Sequence, residues 1–304
     1  MPELPEVHTT VQGIIAKAKS LSIVDVWTNY GSRFHRGKKN IKDKAFFGKF
    51  KKAVIGKKII GASRRGKNVL IHLSGDLTIL VHMKMTGHFL YGSYRKEKNE
   101  WVAKEDGPLQ DPFNRFVRVV FTLSNKKHLV LSDLRKFAKV TFFHDHEREH
   151  VTELSVIGPE PLEKNFTVQK FTERLKLRPN AKIKQVLMDQ SIIAGIGNIY
   201  SDEILWKAGV HPARAARSLS QQEMQAIYRA MKTILRESIR VGGDSASDYR
   251  NIEGNPGGFQ HRHYAYRQTG KRCKKSGCSG TIQRLVIGGR SAHFCDTHQR
   301  TPRN

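Results

Sequence analysis

The hydrophobic pattern changes period once along the chain, and that change limits the fold more than any other feature. Between residues 22 and 143 lie the short runs SIVDVWTNY, NVLIHL, LTILVHMKM, FVRVVFTL, HLVLSDL and KVTFF. They are rich in β-branched and aromatic residues, which suit a pleated, half-buried surface, and turn residues separate them. Six such runs in one region predict an antiparallel sandwich or barrel. Two prolines in VIGPEPL (156–162) mark a linker, and beyond it the period is helical. VQKFTERLKL, AKIKQVLMDQ, IYSDEILWKAG and SQQEMQAIYRAMKTILRESIRVGG follow in turn. In the last, Met224, Ile227, Met231, Ile234 and Leu235 form a stripe at core spacing. Ahead of the strands, Val7, Val11, Ile14 and Ile15 predict a leading amphipathic helix over residues 5–17. RFHRGKKNIKDKAFFGKFKK and YGSYRKEKNEWVAKEDGPLQDP interrupt the strands and read as long loops or a short basic helix. The expected class is α+β, with an N-terminal β-sandwich over 1–150, a helical domain over 151–265 and a terminal hairpin over 266–304.

Lys and Arg number 54 against 27 Asp and Glu, a formal net charge of 54 − 27 = +27. So large an excess, spread along the chain, points to a polyanion, of which nucleic acid is the commonest. No run approaches membrane-spanning length and no secretory pattern opens the chain, so an intracellular protein is expected. Cys273, Cys278 and Cys295 fall in the last tenth of the sequence beside His298. An odd number clustered near a histidine argues for a metal site and against a disulfide framework.

Three constellations carry chemistry. In CKKSGCSGTIQRLVIGGRSAHFCDTHQ, the strands TIQRLVI and SAHF meet through Gly288 and Gly289. Folding that hairpin unites Cys273 and Cys278 with Cys295 and His298, a donor set suited to one tetrahedral zinc. It also holds Arg290 near an exposed tip. In DQSIIAGIGNIYSDEILWKAGVHP, Gly195 and Gly197 expose amides at a helix start where Asn198 is placed to cap, which suits a phosphate; a plain connecting turn is the equal alternative. The opening MPELPEV sets an acid one residue after Pro2. Once Met1 is trimmed, Pro2 is a secondary amine able to attack an aldehyde carbon, and Glu3 can move a proton. For an arbitrary protein, a proline-led first helical turn explains the same residues.

PELPEV, RRGKNVL, HMKMTG, SDLRKF, GPEPL, QSIIAGIGNIYSDEILWKAGVHP and the cysteine hairpin occur in one order from residue 2 to about 298. The chain in this respect resembles the formamidopyrimidine-DNA glycosylase family, which includes the endonuclease VIII relatives. The resemblance implies a helix-two-turn-helix in the helical domain and a cleft for duplex DNA. It implies base-excision repair: release of an oxidised base through a Pro2 iminium, then elimination at both phosphates. Glu3 would be the general acid/base at the sugar ring oxygen, and Glu6 a supporting acid. Lys67, His82, Asn198 and Arg290 would contact phosphates, and Met85, Arg135 and Phe137 would fill the gap left by a flipped base. Partners would be double-stranded DNA with oxidised or abasic sites, no membrane, and a monomeric chain. The usual hairpin has C-x-x-C on both arms; here the first is C-x4-C and His298 ends the second. Leu134 and Lys136 stand where the oxidised-purine branch commonly has proline and arginine. The rival readings are an oxidised-pyrimidine glycosylase, a non-catalytic binder of damaged DNA, and an RNA- or ribosome-associated basic protein.

Overall fold

The computed structural model describes residues 1–98 and 100–299. By contact density the chain divides into two compact units, 1–155 with 241–258, and 156–240 with 259–304. The 151–265 span expected for a helical domain is therefore interrupted. Residues 241–258 belong to the first unit because their backbone hydrogen-bonds to it, through Glu6 and through Asn114.

The first unit begins with α1 (Leu4–Ala18), whose Leu4, Val7, Val11, Ile14 and Ala18 are buried along one face. Two four-stranded antiparallel sheets follow. One has the order β1 (Ile23–Thr28), β8 (Val117–Leu123), β9 (His128–Ser132), β5 (His88–Gly92). The other runs β10 (Lys139–His144), β4 (Leu77–His82), β3 (Asn68–Leu73), β2 (Ile59–Arg65). Side chains alternate across a strand, so Val26, Phe89, Val119, Phe121, Leu129 and Leu131 join Val69, Ile71, Ile79, Val81 and Val140 in one core. The stretch 44–54 of the first basic interruption is α2 (Lys44–Val54), N-capped by the Asp43 carboxylate on the Phe46 N–H and burying Phe50 and Val54.

The second interruption has a structural purpose that its polar composition conceals. β6 (Tyr94–Glu97) and β7 (Glu100–Ala103) form a hairpin, and Tyr94, Trp101 and Leu109 cover Leu90, Val117, Val120 and Val130 on the outer face of the first sheet. The Trp27 and Trp101 ring centroids lie 6.2 Å apart. The insertion thus shields an apolar sheet face from water.

The second unit holds α4 (Val168–Lys176), α5 (Ile183–Met188), α6 (Asn198–Ala208) and α7 (Gln221–Arg240), after the short α3 (Thr152–Ser155) at the end of the first unit's leading segment. Of the α7 stripe, Ile227, Met231, Ile234 and Leu235 are core, and Met224 is only half-buried. The hairpin strands β11 (Ile282–Ile287) and β12 (Arg290–Cys295) close the unit, turning through Gly288 and Gly289, both at positive φ.

Because Ile14 of α1 lies wholly inside the core, Ile14→Ala is expected to cost about 2–5 kcal/mol of stability. Urea unfolding followed by tryptophan fluorescence measures this.

Candidate active site and metal centre

The polypeptide terminus lies inside the first unit. Glu3 is the N-cap of α1, and its backbone N–H donates to Glu6 Oε2 at 2.7 Å. Pro2, Glu3 and Glu6 are all buried. The terminal amine, on Met1 as encoded, has its pKa drawn below the ordinary α-amine value chiefly by burial. Glu3 and Glu6 pull the other way, and Lys67 and Asp248 are the next charges to act on it. An amine so placed is neutral, and hence nucleophilic, at lower pH than a free one.

Glu6 also reaches forward. Its Oε1 accepts the Asp244 N–H at 2.7 Å, and its carbonyl accepts the Tyr249 hydroxyl at 3.1 Å. Gly243 sits at φ +88°, and a Cβ there would stand 2.9 Å from Glu6 Oε1, so only glycine fits. One carboxylate thereby ties residues 241–258 to the helix that starts the chain.

Sheet register assembles the next residues. Arg65 pairs with Asn68, Asn68 with His82 and His82 with Lys139, a row across one end of the second sheet. Lys67 occupies the two-residue turn between β2 and β3 and is nearly buried. His82 Nδ1 accepts the Lys84 N–H at 3.0 Å, which leaves the ring proton on Nε2. Burial first, then Lys84 and Lys67, lower its pKa to about 3. His82 is therefore a neutral N–H donor throughout the physiological range.

Met85, Arg135 and Phe137 lie on two neighbouring loops of the first unit. Arg135 and Phe137 are exposed and Met85 half-buried, so none of the three is core. The Arg135 guanidinium lies over the Phe137 ring, 4.5 Å from its centroid. A residue that sequence reasoning missed, Asp133, holds these loops together. Its fully buried carboxylate accepts from Thr86 Oγ1 at 2.5 Å, the Tyr30 hydroxyl at 2.6 Å and the Ala138 N–H at 2.8 Å. Thr86 in turn accepts the Arg135 N–H at 3.1 Å. The signal was an acid between an apolar strand and the exposed LRKF, where a solvated loop would be the ordinary reading.

In the second unit, Asn198 is the first residue of α6 and Gly197 is its N-cap. The capping role expected of Asn198 is not found; its Oδ1 is buried and has no partner among the described residues. The carbonyl of Asn198 is held instead by Lys184, whose fully buried ammonium also donates to Ser201 Oγ at 3.0 Å and Asp202 Oδ1 at 2.5 Å. Asp202 Oδ2 accepts the His293 N–H at 3.1 Å and pairs with His293 Nδ1 at 2.8 Å. A Lys184–Asp202–His293 chain therefore connects α5, the Asn198 end of α6, and β12, which begins at the exposed Arg290. Next to it Glu203 accepts three backbone N–H groups, from Tyr264, Ala265 and Tyr266. Burial raises its carboxyl pKa, and those bonds offset part of the rise.

The ligand atoms of Cys273, Cys278, Cys295 and His298 all lie within 4.8 Å of one another. Cys278 Sγ is 3.5 Å from Cys295 Sγ, and Cys273 Sγ is 3.5 Å from His298 Nδ1. Zinc–ligand bonds of about 2.3 and 2.0 Å at tetrahedral angles separate neighbouring donors by roughly 3.5–3.8 Å, so the donor set fits that ion. His298 Nε2 donates to the Trp206 carbonyl at 3.1 Å, which directs Nδ1 to the metal position. The backbone N–H groups of Lys275, Gly280 and Thr297 point at the three sulfurs. The Gly280 N–H lowers the Cys278 pKa, while burial pushes the Cys295 thiol up to about 11. The wider C-x4-C arm is taken up by a turn in which the Cys278 N–H donates to the Lys275 carbonyl and Gly277 adopts φ +73°.

The formamidopyrimidine-DNA glycosylase N-terminal domain matches residues 1–140, and the H2TH domain of the same enzymes matches 157–250. The chain belongs to the formamidopyrimidine-DNA glycosylase family. The glycosylase of Pelotomaculum thermopropionicum is 34% identical over 300 residues, spanning 99% of each chain. That of Bacillus subtilis is 34% identical over 97% of this chain and 98% of its own. Among solved structures, Lactococcus lactis Fpg in complex with abasic-site DNA superposes with a TM-score of 0.82 at 27% identity, covering 98% of this chain and all of that one. Thermus thermophilus MutM superposes with a TM-score of 0.78 at 32% identity, covering 98% of both. An L. lactis Fpg mutant complex contains Fapy-dG DNA. The α+β architecture of the family member, with its two sheets, helical unit and hairpin, is as the sequence led us to expect. Among the described residues no helix is long and apolar enough to cross a membrane.

Asp133→Asn replaces an acceptor by an amide that cannot take all three donors. It is expected to cost about 1–3 kcal/mol through the donor left unpaired and to loosen residues 83–87 and 133–138. Amide exchange in those loops, compared with unchanged protection in the hairpin, is the measurement.

Proposed function

We propose that this protein is a base-excision repair glycosylase and abasic-site lyase that removes oxidised purines from duplex DNA. The observation that carries the proposal is the buried start of α1, where Pro2, Glu3 and Glu6 lie together and the Glu3 N–H is held by the Glu6 carboxylate. After removal of Met1, the Pro2 nitrogen attacks C1′ of the damaged nucleotide. The base departs with the electrons of the glycosidic bond. Glu3 supplies a proton to the sugar ring oxygen, the ring opens, and an iminium joins Pro2 to C1′. Loss of the C2′ proton then expels the 3′ phosphate by β-elimination, and δ-elimination expels the 5′ phosphate. Water hydrolyses the remaining imine and frees the amine. Lys67, His82, Asn198 and Arg290 bind the phosphates that flank the lesion. His82 does so as a neutral donor, which its lowered pKa supports.

Met85, Arg135 and Phe137 fill the space left by the flipped base. Arg135 has only donors to offer, and cytosine presents two acceptors, N3 and O2, on its pairing edge whereas adenine presents one, N1. Lesions opposite cytosine are therefore the preferred substrate. The catalytic residues belong to the first unit, to which 241–258 contributes; the helix-two-turn-helix and hairpin carry DNA contacts from the second. The hairpin holds one structural zinc on Cys273, Cys278, Cys295 and His298, and the ion supplies cross-linking of the hairpin base. The protein acts as a monomer wherever the cell keeps its DNA.

Borohydride is expected to trap the parent covalently on a duplex with an abasic site, whereas Pro2→Gly, or a chain retaining Met1, traps slowly or not at all. Glu3→Gln is expected to bind but release no base. On matched duplexes, 8-oxoguanine opposite cytosine is expected to be cut faster than opposite adenine, and faster than thymine glycol opposite adenine. Fastest cleavage of thymine glycol would move the enzyme to the oxidised-pyrimidine branch. Unimpaired trapping by Pro2→Gly would sink the nucleophile assignment.

Metal analysis is expected to give one zinc per chain. Cys295→Ser is expected to lose it and to weaken DNA binding through Arg290 without unfolding the first unit, which has its own core.

A further inference from the structure

Residues 33–42 read RFHRGKKNIK, with five cations and no acid. They fold into a short helical turn at Arg33–His35 and a loop that is hydrogen-bonded throughout. The Asn40 carbonyl accepts the Asp43 N–H at 2.9 Å, and Ile41 donates to the Val140 carbonyl at 3.1 Å. The nearest acid in sequence, Asp43, spends its carboxylate on the Gly37 and Phe46 backbone N–H groups.

This loop forms one side of a cavity of about 460 Å³ lined by His35, Lys38, Lys39, Asn40, Lys42, Lys84, Phe137 and Lys139. No carboxylate lines it. Glu153 pairs with Lys139, but Lys38, Lys39, Lys42 and Lys84 have no acid within ion-pair distance among the described residues. The Lys42 ammonium is nearly buried, donating to the Lys136 carbonyl at 2.6 Å over the Tyr30 ring. Burial and the neighbouring Lys84 lower its pKa, and the Asp133 carboxylate beyond Tyr30 offsets part of that. His35 Nδ1 is buried with no partner among the described residues. Lys84, which lines the cavity, adopts a left-handed φ of +56°. On the same turn Phe34 is 89% exposed, an apolar ring among cations, which is the surface chemistry of a nucleic-acid contact.

We propose that this cavity is a phosphodiester site for the undamaged DNA strand, with Lys38, Lys39, Lys42 and Lys84 as its cations. The assignment to that strand rests on the proposed function, in which Arg135 faces the orphaned base. Phe137, stacked beneath Arg135, is also one wall of the cavity, so a phosphate bound there belongs to the strand that carries the orphaned base. The repair enzyme then grips both strands, with the undamaged one held at the point where the lesion has left it unpaired.

The test uses the full chain, the double variant Lys38→Ser/Lys39→Ser, and a duplex carrying a tetrahydrofuran abasic analogue opposite cytosine. Two companion duplexes carry neutral methylphosphonate linkages around the lesion, one in the undamaged strand and one in the damaged strand. On the unmodified duplex, the variant is expected to lose about 10-fold in affinity at ~0.1 M salt and about two units of log–log salt slope, one per phosphate contact. With a neutral undamaged strand, parent and variant are expected to bind alike; with a neutral damaged strand, the deficit persists. A variant that keeps the parent's affinity and slope overturns the site. A deficit abolished only by neutralising the damaged strand overturns the strand assignment. Borohydride trapping of the parent on an abasic duplex checks the underlying reading separately: a parent that binds but never traps refutes the glycosylase and leaves the binding comparison intact.

Discussion

A reactive group at a chain terminus is useful only if the terminus is held still, and free termini fray. Here the restraint is the apolar face of α1. Leu4, Val7, Val11, Ile14 and Ala18 are buried against the sandwich. That burial stabilises by of the order of 1.5–3 kcal/mol per large side chain, enough to fix the first residues against thermal motion. Burial has a second effect, because it lowers the pKa of the terminal amine and so increases its neutral fraction.

The loops are ordered by buried carboxylates in a chain whose surface is overwhelmingly basic. Asp133 gathers the segment carrying Tyr30, the loop of Met85 and the loop of Arg135 and Phe137. Glu6 binds the Asp244 amide to α1. Asp202 spans Lys184 and His293, and Glu203 collects the amides of 264–266. A carboxylate taken out of water demands several donors in fixed directions, so each of these acids specifies a conformation that apolar packing would leave loose. The cations, by contrast, stay largely at the surface, where a polyanion can reach them.

The apolar runs of the sequence correspond to β1, β3, β4, β8, β9 and β10, because a strand buried on at least one face cannot hide its hydrophobic side chains. β2 was harder to see, since IIGASRR buries only Ile59, exposes Ile60 and leaves its other positions half-covered. β6 and β7 were hidden for a different reason: their cover of the sheet rests on Tyr94, Trp101 and Leu109, scattered through a polar stretch. Paired spacing on two arms was enough to bring Cys273, Cys278, Cys295 and His298 together, because a hairpin leaves those residues few other places to go. Asn198 was misjudged as a cap because capping depends on the φ and ψ of the residue before the helix, and Gly197 takes that position.

The sequence by itself determined the class of the fold, the order of its parts, the cluster of three cysteines and a histidine, and the identity of the terminal nucleophile candidate. Each is a local property: a period of hydrophobicity, a spacing of cysteines, the second residue of the chain. Only the tertiary structure decided that 241–258 returns to the first unit, that Asp133 and Asp202 are hubs, and that Lys42, Lys84 and Phe137 surround one cavity. Those facts depend chiefly on contacts between residues 47 to 238 positions apart. Hydrogen bonds and charge interactions act over a few ångströms, so which distant groups share them is settled only when the sheets pair in register and the core closes.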